Sequence, residues 1–245
     1  QQAIVLDAQA ESCFRSHDYE RAAIIWGGLV NASHTSKATF EEKALRFIEG
    51  NCPDALTTYL LTTLDHLHPK RDMSQRTMLG TWITELYLDK LNRAQTAVGA
   101  AGFLGYAGGS SSSSSGIKVS DSDGNSDQAD EDFQHDAVLE DFKSFLKRYA
   151  DVLDAKTTKQ LLGGGGRISE LAFYCEIIGE WERVIDYHLG RRDAQKVLAI
   201  LRRVGVGDTS RRDERGGVVG HAAAAELHYR YAGALMEIDP TGAVD

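Results

Sequence analysis

The sequence predicts an all-α chain, an α-solenoid of stacked helical hairpins. Three observations carry this: apolar residues recur at helical spacing in one segment after another, short connections of turn-forming residues separate the segments, and one hairpin repeats in degenerate form. The 245 residues are 42% hydrophobic and 26% charged, enough to build a sizeable core. Only three prolines occur, and no series of short alternating runs bounded by turns is present, which disfavours a β architecture.

The elements follow in order. Residues 3 to 15 and 18 to 31 read as two helices joined at Ser16, His17 and Asp18, with Ala10, Cys13, Phe14, Ala22, Ile25 and Trp26 available for the facing sides. Thr39 followed by Glu42 is a capping-box pattern for a helix that carries Phe40, Ala44, Phe47 and Ile48 and stops at Gly50. Pro53 suits the first position of the next helix, whose Leu56, Tyr59, Leu60, Leu64 and Leu67 share a face before Pro69. Asp72 with Gln75 is a cap pattern for a longer helix bearing Leu79, Trp82, Ile83, Leu86, Tyr87 and Leu91.

Residues 97–132 change character, with glycines, six serines from Ser110 to Ser115, and an acidic run through Asp132. Such composition cannot bury enough surface to offset chain entropy, so a disordered Gly/Ser/Asp-rich insertion is expected between an arm at 1–96 and an arm at 133–245. Helical patterning resumes near Asp136, where Leu139, Phe142, Phe145, Leu146 and Tyr149 align. Shorter helices are expected at 156–162, 168–178, 180–189 and 193–204, then a Gly/Arg/Asp-rich loop insertion at about 205–220 and a last helix at 221–237.

The repeat lies between residues 10–22 and 172–184. Ala10, Cys13, Glu20 and Arg21 fall at the same offsets as Ala172, Cys175, Glu182 and Arg183, and aromatic Tyr19 meets aromatic Trp181. Each copy is a helix, a polar turn, then aromatic-Glu-Arg opening the second helix. A lone hairpin cannot bury its own apolar face, so stacking is required, and the extended surface that results suits binding other proteins.

Charge and composition exclude other classes. A net charge of −9 opposes binding to phosphate backbones and to anionic membranes. Cys13, Cys52 and Cys175 are odd in number, distant and without metal-ligand spacing, which fits a reducing cytoplasmic setting. The longest uncharged apolar run, Ala22 to Val30, is too short to span a bilayer. With no initiating Met and no signal peptide, the sequence reads as an internal piece of something longer.

Several residue groups invite sharper chemistry and are better read structurally, so no catalytic residue, metal ligand or cofactor is assigned. Ser16, His17 and Asp18 are the types of a hydrolase triad, but consecutive side chains diverge. His66 and His68 lack a completing ligand cluster. Gly163 to Gly166 lack the Lys-Ser/Thr of a phosphate loop. The basic cluster of Arg202, Arg203, Arg211, Arg212 and Arg215 is diluted by Asp208, Asp213 and Glu214 and reads as a solvated loop. Ser120, Ser122 and Ser126 each precede Asp, a context that acidophilic kinases can use.

Three collinear blocks point to a family: Ser16 to Ala23, Phe40 to Ile48, and Asp54 to Leu61. Thr81 to Asn92, Glu176 to Ile185 and Leu227 to Tyr231 continue in the same order. Together they resemble the central α-solenoid of the vacuolar protein sorting-associated protein 18, or deep orange, family, outside 97–132, about 205–220 and Gly163 to Gly166. The resemblance implies hairpins of the clathrin-heavy-chain-repeat or TPR kind, within a core subunit of the HOPS and CORVET tethering complexes. It implies the other class C vacuolar sorting subunits as partners, with no nucleic acid. Membrane association would be peripheral, through the complex, on the cytosolic face of late endosomes, lysosomes or vacuoles. The rival expectations are a coat or nuclear-pore type scaffold and the non-catalytic arm of a RING-type ubiquitin ligase.

Overall fold

The computed structural model describes residues 2–29, 39–106, 126–206 and 221–238. Every regular element among the described residues is a helix, so the all-α class read from the sequence is the class observed. The helices are α1 (Gln2–Arg15), α2 (Tyr19–Gly28), α3 (Phe40–Glu49), α4 (Pro53–His66), α5 (Met73–Tyr106), α6 (Ser126–Arg148), α7 (Ala155–Gly164), α8 (Ile168–Ile178), α9 (Trp181–Gly190), α10 (Ala194–Val206) and α11 (His221–Ile238). They fall into two compact units, Gln1–Leu161 and Leu162–Asp245.

Local chemistry explains where the helices begin. Thr39 Oγ1 accepts from the Glu42 amide at 3.3 Å while Glu42 Oε2 accepts from the Thr39 amide at 2.8 Å, the reciprocal capping box expected there. Asp18 caps α2 through the Arg21 amide, Asp154 caps α7 through the Thr157 amide at 2.8 Å, and Asp193 caps α10 through the Lys196 amide. At Asp72 the carboxylate turns upstream instead, accepting from the His68 amide at 3.0 Å and from Arg71 Nε at 2.9 Å. The expected partnership with Gln75 is replaced by this tie to the preceding turn.

One turn recurs at five helix ends. His17, Asn51, Gly166, Gly179 and Arg192 are left-handed, with φ of 64°, 51°, 69°, 81° and 56°. The next residue sends its amide back to a carbonyl one turn inside the finished helix: Asp18 to Cys13, Cys52 to Phe47, Arg167 to Leu162, Glu180 to Cys175 and Asp193 to His188, all at 2.9–3.0 Å. That residue then opens the following helix, with ψ of 69°, 68°, 64° and 71° at Asp18, Cys52, Arg167 and Glu180. The left-handed residue and the one after it therefore recur with the same geometry in connections of two or three residues.

The left-handed conformation costs an L-residue roughly 1–2 kcal/mol, and glycine avoids that cost. Arg192 is exposed and carries the strain. Arg192→Gly is expected to raise stability by about 1 kcal/mol, and Gly179→Ala to lower it by about 1–2 kcal/mol, both checked by thermal melts.

In the first unit α1 pairs with α2 and α3 with α4, and α2 runs along α4. Phe14, Trp26, Phe47 and Tyr59 meet at their centre, with ring centroids 5.5 Å (Phe14–Trp26), 5.5 Å (Phe14–Phe47), 5.8 Å (Trp26–Phe47) and 5.6 Å (Phe47–Tyr59) apart. Further along, α5 packs on α6 through Tyr87, Phe142 and Phe145. Tyr149 Oη donates to Asp65 of α4 at 2.6 Å, and Thr77 Oγ1 donates to the Val152 carbonyl at 3.0 Å.

Helical backbone runs into both ends of the stretch expected to be without structure. α5 continues to Tyr106 and α6 begins at Ser126, while residues 107–125, with Ser120 and Ser122, lie outside the described residues. α5 and α6 pack on each other inside the first unit. Most of the loop insertion expected at 205–220 also lies outside the described residues, with α10 ending at Val206 and α11 starting at His221.

In the second unit α8 pairs with α9 and α10 with α11, and α9 also contacts both α10 and α11. Cys175, Val184, Ile185, Val197, Leu201 and Leu235 are buried together, with Trp181, Leu227 and Tyr231 packed against them. Arg230 and Tyr231 tie α11 to α9 through Glu182 at 2.6 Å and Asp186 at 3.0 Å.

Candidate functional site

The residues the sequence singled out are placed at hairpin ends. Ala10 and Ala172 are buried, and Cys13 and Cys175 supply the carbonyl that closes each turn, to Asp18 at 3.0 Å and to Glu180 at 2.9 Å. Tyr19 packs edge-on against Phe14 at 5.0 Å, and Trp181 carries the guanidinium of Arg203 on its face at 4.7 Å. Glu20 and Arg21 are exposed, whereas Glu182 pairs with Arg230 and Arg183 approaches Glu180 at 3.7 Å. The two copies thus share a turn and differ in what packs over the aromatic.

The remaining candidates serve locally. Ser16 Oγ donates to the Cys13 carbonyl at 2.9 Å, His17 Nδ1 bonds the Tyr19 hydroxyl at 2.6 Å, and the Asp18 carboxylate caps α2, so the three side chains take three separate partners. His66 Nδ1–H donates to the Thr62 carbonyl at 2.7 Å, and His68 Nδ1 accepts from the amides of Lys70 and Arg71 at 3.2 Å. Gly163 and Gly164 finish α7, and Gly166 forms the turn. Arg203 pairs with Glu176 at 2.8 Å, Arg202 is exposed, and Arg211, Arg212 and Arg215 lie outside the described residues.

Two places gather charged and aromatic side chains among the described residues. In the second unit a groove of about 400 Å³ between the start of α9 and α11 is lined by Glu180, Trp181, Arg183, Leu227 and Arg230. Arg230 bridges Glu182 and Glu226 along its side, so an indole lies beside paired charges. In the first unit α3 is fastened to α1 by two ion pairs. Lys43, almost fully buried, reaches Asp7 at 3.2 Å, and the same carboxylate accepts from Trp26 Nε1 at 3.1 Å. Arg46 grips Glu11 with two bonds of 2.7 and 3.1 Å and lies over the rings of Phe14 at 4.4 Å and Trp26 at 5.0 Å.

Sequence reasoning missed this seam. The available signal was Lys43 itself, a cation on the apolar side of α3 beside Phe40, Ala44 and Phe47.

The Arg46 hydrogen bond holds the Glu11 carboxyl below its ordinary value of 4.5, aided by the charges of Arg46 and Arg15 and opposed by partial burial. A depressed carboxylate contributes stability that is complete above its unfolded value and is lost as pH falls through the folded one. Urea midpoints measured stepwise on acidification below 4.5 should fall less steeply for Arg46→Met than for the parent chain, because the variant has lost that contribution at every pH.

No helix among the described residues is long and apolar enough to cross a membrane. Residues 1–102 match the family described as VPS18, alpha-solenoid domain, first half. The chain is 31% identical over 231 residues to Vacuolar sorting protein 18 of Arabidopsis thaliana, covering 94% of this chain and 18% of that protein. It is 28% identical over 204 residues to the Vacuolar protein sorting-associated protein 18 homolog of Danio rerio, covering 81% and 17%. It is 25% identical over 197 residues to Vacuolar membrane protein pep3 of Schizosaccharomyces pombe, covering 80% and 18%. The chain therefore spans less than a fifth of the length of these curated relatives. A helical-hairpin architecture and collinear similarity across both units converge: the chain belongs to the vacuolar protein sorting-associated protein 18 family, within its α-solenoid.

Proposed function

We propose that the chain is a scaffold segment of a vesicle-tethering subunit that works in vacuolar, endosomal and lysosomal trafficking. The carrying observation is similarity to Vacuolar sorting protein 18 over 94% of the chain. Stacked hairpins present side chains at fixed spacing over a long surface, and binding at that surface is the whole mechanism: no bond is made or broken. The partners are the other class C vacuolar sorting subunits of the HOPS and CORVET complexes. The protein acts on the cytosolic face of late endosomal, lysosomal or vacuolar membranes and reaches them through the complex. The arms at 1–96 and 133–245 supply the binding surface, and the 97–132 stretch is a spacer. The repeat residues Ala10, Cys13, Tyr19, Glu20, Arg21, Ala172, Cys175, Trp181, Glu182 and Arg183 hold hairpin geometry and leave recognition to the surfaces beside them.

The test is co-purification of the protein, tagged and expressed at native level, with the other class C subunits. Retention of those subunits is the expected result, and loss of all of them in the parent chain overturns the proposal.

A further inference from the structure

We propose that the outward face of α3, centred on Leu45, docks a cationic amphipathic helix of a partner protein. This rests on the scaffold reading only in taking the partner to be a protein. The inward side of α3 is occupied by Lys43, Ala44 and Phe47, all buried. At 100° per residue, Glu41, Leu45, Ile48 and Glu49 gather on the opposite side, where all four are exposed and Leu45 and Ile48 each keep 51% of their surface in solvent. One exposed aliphatic residue is ordinary, but two at a three-residue interval form a stripe of the kind that seats a helix.

Charge selects the occupant. The two cations of α3, Lys43 and Arg46, are turned to Asp7 and Glu11 of α1, so the outward face retains only carboxylates around its apolar centre. Glu41 and Glu49 form no ion pair among the described residues. The fixed ion pairs on one side thus leave a uniformly acidic rim on the other. Such a rim repels anionic lipid and nucleic acid and attracts a helix with Lys or Arg flanking its apolar stripe.

The probe is a fluorescent helical peptide of about four turns, with Leu at three- and four-residue intervals and Lys elsewhere, titrated against the whole chain and read by anisotropy. Saturable binding is expected. Leu45→Ser/Ile48→Ser and Glu41→Lys/Glu49→Lys should each weaken it roughly tenfold or more, with circular dichroism confirming that both variants fold. The same charge reversal elsewhere, Glu85→Lys/Asp151→Lys, should change affinity less than about threefold, and a peptide with Glu in place of Lys should not bind. Absence of saturable binding, or equal loss in the distant pair, overturns the assignment. If class C subunits still co-purify in that case, the scaffold reading stands and only this surface is removed.

Discussion

Replacing Asp7 with Ala is expected to lower the unfolding free energy by about 3–5 kcal/mol, the largest loss available from a single polar side chain in the first unit. The reason is the burial of what it serves. The Lys43 side chain keeps 6% of its surface in solvent and the Asp7 side chain 24%, and Trp26 Nε1 donates to the same carboxylate. Removing the carboxylate leaves an ammonium and an indole N–H facing apolar walls with their acceptor gone.

Lys43→Met tests the argument from the other side. It removes the charge that needs an acceptor and keeps a side chain of similar length, while Asp7, partly solvated, retains Trp26. The expected cost is about 1–2 kcal/mol. Asp7→Ala combined with Lys43→Met should then be more stable than Asp7→Ala alone, by about 2 kcal/mol, since no buried charge remains to be stranded. Urea unfolding of the four chains gives the cycle, and hydrogen exchange in α3 locates it. If Asp7→Ala loses less than about 1 kcal/mol, Lys43 has found water and the seam is not closed.

The helices were legible because their information is local. Phe40, Ala44 and Phe47 mark a face within ten residues, Thr39 and Glu42 mark its start, and Pro53 fits only near a helix beginning. The repeat was legible in part: the offset linking Cys13 to Cys175 is the offset linking the left-handed residues His17 and Gly179. The shared turn stayed hidden because three of its five left-handed positions hold His, Asn and Arg, where a glycine would have announced it. The groove borders the repeat residues Trp181 and Arg183, but the α3 seam was not legible at all. Lys43 and Arg46 find Asp7 and Glu11 across a separation of about 35 residues, and only that contact decides which face of α3 is left acidic. Composition marks residues 97–132 as one stretch and carries no helical signal of its own, so the reach of α5 to Tyr106 and the start of α6 at Ser126 were not read from it.

Gly27→Ala should destabilise the first unit by about 3 kcal/mol, and comparison with two other glycines makes the reason testable. A Cβ at Gly27 would stand 2.6 Å from Thr62 Cβ, 2.9 Å from Thr62 Cγ2 and 3.0 Å from the Tyr59 carbonyl, so the root of a side chain and the α4 backbone block it. Neither can rotate away, and α2 must move off α4. Gly80 is also crowded, at 2.9 Å, but by Leu153 Cδ2, the far end of a flexible chain, so Gly80→Ala should cost about 1 kcal/mol and Leu153→Ala should remove that increment. At Gly233 in α11 a Cβ meets nothing within 4 Å, and Gly233→Ala should gain about 0.5–1 kcal/mol from helix propensity alone. One added methyl therefore has three expected outcomes, set by what stands opposite. Thermal melts of the three variants read the order directly. If Gly27→Ala proved as mild as Gly80→Ala, the close approach of α2 and α4 would not be a fixed feature of the hairpin stack.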